Sequence, residues 1–332
     1  MRMKRREFLT FLGSAAAAAS IECPRAARAQ PKIRRLGVLS QGSIRTHPTP
    51  MFRTFQQGLR DLGWVEGQNL VIEWRFSEGS AEPLPRLAAE LVGVPVDLIV
   101  ASPTQPALAA KAATSTIPIV FIQVADPVKS GIVANLARPG ANVTGLSTIG
   151  SDLSGKRLEL LKEALPGAER VAVLWNRPSE GAILVFRELE LASKDVGVSL
   201  QDIGVSDPSE LRDAVETAVR TRAAAIILID DPVIASYRPQ ILPLADAAAL
   251  PLFSIYSEYA DGGGLMAYGA SLPAIYWRGA IYVDRILRGA KPSDLPVEQP
   301  SIFELVINLR TAKALGLELA PTLLARANRV IE

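Results

Sequence analysis

The residues able to do chemistry in this chain fall in a pattern. Asp126, Asp230, Asp231 and Glu258 each lie at or just past the end of a short apolar run. A carboxylate in that place can pair with a cation or cap a following helix. Asp126-Pro127 and Asp231-Pro232 suit either role. Ser102-Pro103-Thr104-Gln105 follows another apolar run and reads as a helix start, with Ser102 as cap and Pro103 in the first turn. The free backbone N–H groups there, with the Thr104 hydroxyl, could hold a carboxylate or simply be capped. Trp175 and Tyr256 end further runs and could stack on a flat ligand or complete a core. Asn176 beside Trp175 can donate or accept, and Ser40 and Gln41 end the first run. Trp64 and Trp74 read as turn and strand packing.

Much chemistry is excluded by composition. Cys23 is the only cysteine and His47 the only histidine. A chain cut after residue 29 has no disulfide, no thiol nucleophile and no Cys/His metal cluster. A Ser–His–Asp triad would depend on His47, which sits in the loop THPTP without a nucleophile motif elsewhere. One string points to phosphate: Gly150 to Lys156 fits G-x-x-x-x-G-K, and AIILIDD resembles the acidic strand of a nucleotide hydrolase. Against this, Arg157 stands where Ser or Thr should hold magnesium, and Asp152 puts negative charge inside the cradle. The competing reading makes Lys156 and Arg157 solvated residues of a helix's first turn.

These residues need a scaffold, and the apolar pattern supplies one. Strands are expected at 36–40, 70–76, 96–102, 117–124 and 142–148, with helices at 50–62, 85–91, 103–113 and 128–137 between them. The second half repeats the plan, with strands at 170–176, 198–205, 224–231 and 250–256 and helices at 152–165, 179–195, 208–221 and 233–248. Such alternation predicts an α/β chain of two Rossmann-like lobes with parallel sheets wrapped on both faces. Ligands then sit beyond the carboxyl ends of the strands. Gly262, Gly263 and Gly264 read as a hinge. A helix at 272–288, an extended connector KPSDLPVEQP and a strand at 303–309 follow, and two short helices end the chain.

The first 29 residues read as a leader. MKRREF is followed by the short apolar run LTFLGSAAAAAS and a small-x-small site at Ala27-Arg28-Ala29. RREFL resembles the twin-arginine export signal, which predicts a periplasmic protein. Outside this segment 30 basic residues face 32 acidic ones, which gives no basis for nucleic-acid binding.

Five strings carry a resemblance to a known family: LGWVEGQNLVIEWRFSEG (62–79), IPIVFIQVADPV (117–128), GIVANLARPGANVTGLS (131–147), YADGGGLMAYG (259–269) and INLRTAKALGL (307–317). They resemble the solute-binding proteins of ABC importers, in the tryptophan/tyrosine-type branch. The resemblance implies the type I periplasmic binding protein architecture, two lobes joined by three hinge crossings. It places 32–146 with 262–300 in one lobe and 147–261 with 301–332 in the other. It implies no enzymatic activity and no cofactor, a small solute as ligand, a membrane permease as partner, and a monomer. A sensor that reports its ligand to a membrane receptor is the alternative, with a nucleotide hydrolase as the outlier. For an amino-acid solute, the Ser102–Gln105 loop would take the carboxylate and one of the acidic residues the ammonium.

Overall fold

The computed structural model describes residues 33–44 and 49–332. The leader over 1–29 and His47 lie outside the described residues. In chain order, β1 (Arg34–Ser40), α1 (Pro50–Asp61), β2 (Leu70–Phe76), α2 (Leu84–Gly93), β3 (Leu98–Ser102), α3 (Thr104–Ala113), β4 (Ile119–Val124) and β5 (Val143–Ser147) build the first lobe. The second lobe comprises α4 (Ser154–Ala164), β6 (Arg170–Trp175), α5 (Glu180–Val196), β7 (Ser199–Asp202), α6 (Leu211–Arg220), β8 (Ala225–Ile229), α7 (Pro232–Ala247), β9 (Leu252–Ser254), α8 (Ser257–Asp261) and β10 (Met266–Ala270). The chain then returns to the first lobe as α9 (Leu272–Leu287). It ends in the second with β11 (Phe303–Asn308), α10 (Leu309–Ala314), α11 (Pro321–Leu324) and β12 (Arg329–Ile331).

The first sheet runs β2-β1-β3-β4-β5 and is parallel throughout. The second runs β12-β11-β10-β9-β8-β6-β7, with β10 and β11 its one antiparallel pair. Continuous apolar runs form these strands because both faces of each sheet are covered. On the first sheet Val38, Leu98, Val100 and Val120 pack to one side, and Leu39, Ile99, Ala101 and Ile119 to the other. On the second, Val171, Val173 and Ile227 oppose Ala172, Leu174 and Ile226. Small residues let α9 lie close: a β-carbon on Gly58 would come within 2.9 Å of Ala280, and one on Gly279 within 2.5 Å of Ile122.

Three expectations are corrected. No helix spans 128–137. Asp126 instead caps a single turn, accepting from the N–H groups of Val128 and Lys129 at 3.1 and 2.9 Å. Gly131 then takes φ +73°, a backbone angle that ends a helix. The passage back to the first lobe falls at Ser271 rather than 262, because β10 pairs with β9 and β11 in the second sheet. The glycines at 262–264 therefore sit inside the second lobe, where Gly264 N donates to Tyr259 O at 2.8 Å, and not at a crossing.

The crossings themselves are tied together. Ser147 N donates to Glu298 O at 2.9 Å and Glu298 N to Gly145 O at 3.0 Å. Ser271 N donates to Ile302 O at 3.0 Å, and Arg278 grips Glu298 through both carboxylate oxygens.

A candidate ligand-binding site between the lobes

Strand ends from both lobes meet at a cleft. A cavity of about 400 Å³ lies there, joined to a smaller chamber of about 40 Å³. Gln41, Gln123, Asp230, Asp231, Pro232 and Tyr256 line both spaces. Three side chains already bridge the lobes. Gln105 Nε2 donates to Pro178 O at 2.8 Å, Gln123 Nε2 to the Tyr256 hydroxyl at 2.9 Å, and Lys129 Nζ to Glu188 at 2.6 Å.

Gln123 is aimed by a defect in the sheet. The β4–β5 register shifts between Phe121 and Val124, and Gln123 takes φ +66° inside that irregularity. Bulges of this kind redirect a side chain. Gln123 Oε1 accepts from the Tyr276 hydroxyl at 2.9 Å, and that hydroxyl lies 2.8 Å from Ser102 Oγ. Since the Tyr276 proton goes to Gln123, Ser102 must be the donor to Tyr276. Tyr256 accepts from Gln123 and keeps its own proton for a guest. Burial pushes Tyr276 up to about 12 and Tyr256 higher still, so both remain neutral phenols.

Acid gathers where the two spaces meet. Asp231 caps α7, accepting from the N–H groups of Val233 and Ile234, both at 2.9 Å, and from Asn176 Nδ2 at 2.7 Å. Burial raises its pKa in opposition to those bonds. Asp230 accepts from the Tyr259 hydroxyl at 3.0 Å. Burial, and then the neighbouring Asp231, hold its carboxyl well above the usual range. Glu78, Glu258 and Arg238 line the outer part of the larger cavity, with Phe52, Tyr256 and Tyr276 among its walls.

The residues singled out in the sequence divide. Ser40, Ser102 and Glu258 line the larger space, Thr104 and Gln105 the smaller, and Gln41, Asp231 and Tyr256 both. Ser102 does not cap α3, whose N-cap is Pro103, because its hydroxyl is engaged with Tyr276. Asp126, Trp175 and Asn176 line neither space. Asp126 is occupied by its turn, and Asn176 supports Asp231 from behind. Trp175 completes a core: it stacks on Phe186 at 4.9 Å, and its Nε1 donates to Asp202 at 2.8 Å. Trp175→Phe is accordingly expected to change ligand affinity less than twofold. It should lower stability by about 1 kcal/mol through the lost hydrogen bond. Titration calorimetry and urea denaturation check the two halves of that statement.

Gln123, Tyr276, Asp230, Arg238 and Arg157 complete the site. Asp230 stood among the acidic candidates at strand ends, whereas Gln123 and Tyr276 gave no signal in their own segments. Arg157 is a correction. Lys156 is solvated and paired with Glu159 at 2.9 Å, but Arg157 is only 3% exposed and lines the small chamber with Gly150. The Gly150–Lys156 string runs as a turn into α4, which starts at Ser154, and Arg157 donates back to Gly150 O across it.

Two α/β lobes closed over a polar chamber with aromatic walls define a binding protein. The profile of the family described as ABC transporter substrate binding protein matches residues 49–331, and this chain belongs to that family. A "Tyrosine-binding protein" of Clostridioides difficile (strain R20291) is 28% identical over 264 residues, covering 80% of this chain and 76% of that one. The structure of an ABC domain in complex with L-Trp from Streptococcus pneumoniae aligns with TM-score 0.83 and 25% identity, over 90% of this chain and 100% of that one. A conserved domain protein of Vibrio cholerae aligns with TM-score 0.82 and 30% identity over the same shares. The family binds a substrate and is not enzymatic. Among the described residues no helix is long and apolar enough to cross a membrane.

Proposed function

We propose that this chain is the extracytoplasmic solute-binding component of an ABC importer, which closes its lobes on an amino acid with a flat side chain and delivers it to a membrane permease. One observation carries the reading. The larger cavity combines adjacent carboxylates at its inner end with the rings of Phe52, Tyr256 and Tyr276 along its walls. That pairing suits an ammonium beside an aromatic group. The relatives that bind tyrosine and hold L-Trp support the same class. The RREFL string supports export to the periplasm by the twin-arginine route, and the protein acts as a monomer in this reading.

A thermal-melt screen tests it, using L-tyrosine, L-tryptophan, L-phenylalanine, aliphatic amino acids and a sugar. A ligand at 100 times its dissociation constant stabilises by about 2.7 kcal/mol. The expected result is an upward shift of several degrees with one or more aromatic amino acids and none with the sugar. A shift with the sugar alone, or silence with every amino acid at millimolar concentration, overturns the assignment of solute class.

A further inference from the structure

Among the described residues, Arg157 is a buried cation without a counter-ion. Its Nη2 donates to Gly150 O and its Nε to Leu153 O at 3.3 Å. Nη1 is buried and has no hydrogen-bond partner among the described residues. Among the described residues no carboxylate is paired with Arg157. Burial lowers its pKa to about 10, which still leaves it charged at neutral pH. Burying such a group unpaired is costly, and a core built for stability alone would place an apolar side chain there.

The surroundings suit an anion. Arg157 lines the small chamber together with Thr104, Ser179 and Gly181. Ser179 caps α5, accepting from Ala182 N at 3.4 Å, and Gly181 lies in the first turn of this 17-residue helix, whose N-terminus favours negative charge. A β-carbon on Gly181 would stand 3.0 Å from Thr104 Oγ1, so glycine keeps that end of the chamber open. In the Ser102–Gln105 loop, Ser102 is engaged with Tyr276 and Pro103 has no N–H to offer.

We propose that the Arg157 guanidinium receives the carboxylate of the solute, with the Thr104 hydroxyl beside it. This rests on the reading of the cleft as an amino-acid site. It orders the solute along the cleft: carboxylate in the small chamber, ammonium at Asp230 and Asp231 where the two spaces meet, side chain in the larger cavity. A free α-carboxylate becomes the obligatory feature, and the amide of the same amino acid is rejected.

The test compares L-tyrosine and L-tryptophan with their primary amides by calorimetry, on wild type and on Arg157→Met and Arg157→Lys. Wild type is expected to prefer acid over amide by about 100-fold or more. Arg157→Met should reduce that preference below threefold and Arg157→Lys should restore part of it. Ligand-free Arg157→Met should melt at or above wild type, since an unpaired buried charge is gone; where it does not fold, Arg157→Lys and Arg157→Gln carry the comparison. An acid-over-amide preference that survives at wild-type strength in Arg157→Met, or in Arg157→Gln where the Met variant does not fold, overturns the proposal, as does a wild type that binds both forms equally. If no aromatic amino acid binds, the solute class fails separately. The same variants are then compared by thermal shift with aliphatic amino acids, benzoate and their amides. A carboxylate-dependent shift present in wild type and lost in Arg157→Met supports the role of Arg157, and one that persists undiminished in Arg157→Met refutes it.

Discussion

Gly145→Ala is expected to leave little folded protein at 25 °C. A β-carbon at Gly145 would fall 2.1 Å from the Phe121 carbonyl oxygen and 2.7 Å from the Phe121 ring. The oxygen belongs to the neighbouring strand's backbone, so no rotamer change relieves the overlap. Either β5 separates from β4 or the sheet distorts around Phe121, and both routes uncover a fully buried core. Losses above about 4 kcal/mol are reserved for faults of this kind. The bulge that aims Gln123 starts at the same residue, so any surviving folded fraction should also bind weakly. Urea denaturation and soluble yield are the measurements; a midpoint like that of wild type would show that β4 and β5 need no such close approach.

Asp230→Asn should weaken binding of L-tyrosine or L-tryptophan by roughly 30- to 5,000-fold while stabilising the empty protein. The loss follows from removing one partner of a desolvated charge pair, worth about 2–5 kcal/mol. The gain in the empty protein has the opposite origin. Burial holds the Asp230 carboxyl well above the usual carboxylate range, with Asp231 and Glu258 reinforcing the effect and Tyr259 and Arg238 opposing it. The folded chain therefore keeps a proton that the unfolded chain releases near pH 4. The stability linked to that proton is fully present below the unfolded value and is lost as pH rises through the folded one. Asparagine removes this dependence, so the variant's melting temperature should vary less above pH 4 than wild type's. An ammonium ligand favours ionised Asp230, so binding by wild type should release a proton and tighten with rising pH across the same window. Calorimetry in buffers of different ionisation enthalpy reads that proton directly. An Asp230→Asn variant that binds like wild type would place the ammonium elsewhere.

The sheets were readable because buried parallel strands leave a plain mark: five or so apolar residues between helices of period 3.6. VDLIVAS and AIILIDD show it in this chain, and the acids and hydroxyls at such strand ends pointed to the cleft. What escaped depends on the third dimension. Arg157 stands at an ordinary solvent position of a helix start, and only the packing of α4 against the cleft buries it. Gln123 lies inside an apolar strand, and a left-handed residue in a bulge turns it outward. Tyr276 comes from α9, 174 residues beyond its partner Ser102. The segment 128–137 has helical composition, but Gly131 and the Asp126 cap fold it as a turn. Trp175 stayed open between two roles, since an aromatic residue at a strand end looks the same in sequence whether it faces a ligand or a core.

The stitched crossings fix the mechanics of closure. β10 delivers the chain to the first lobe at Ala270, and β11 takes it back at Phe303, directly opposite in the same ladder. Cross-links from Ser271 to Ile302, and from Ser147 and Gly145 to Glu298, then bind all three connections into one narrow strap. A strap of this construction can flex, because bending is spread over many small backbone torsions. It resists sliding and twisting, because either would shear several hydrogen bonds at once. For the proposed function this confines closure to a single swinging coordinate, one that would bring Gln123, Tyr256 and Arg157 back to the same relative positions on each binding event.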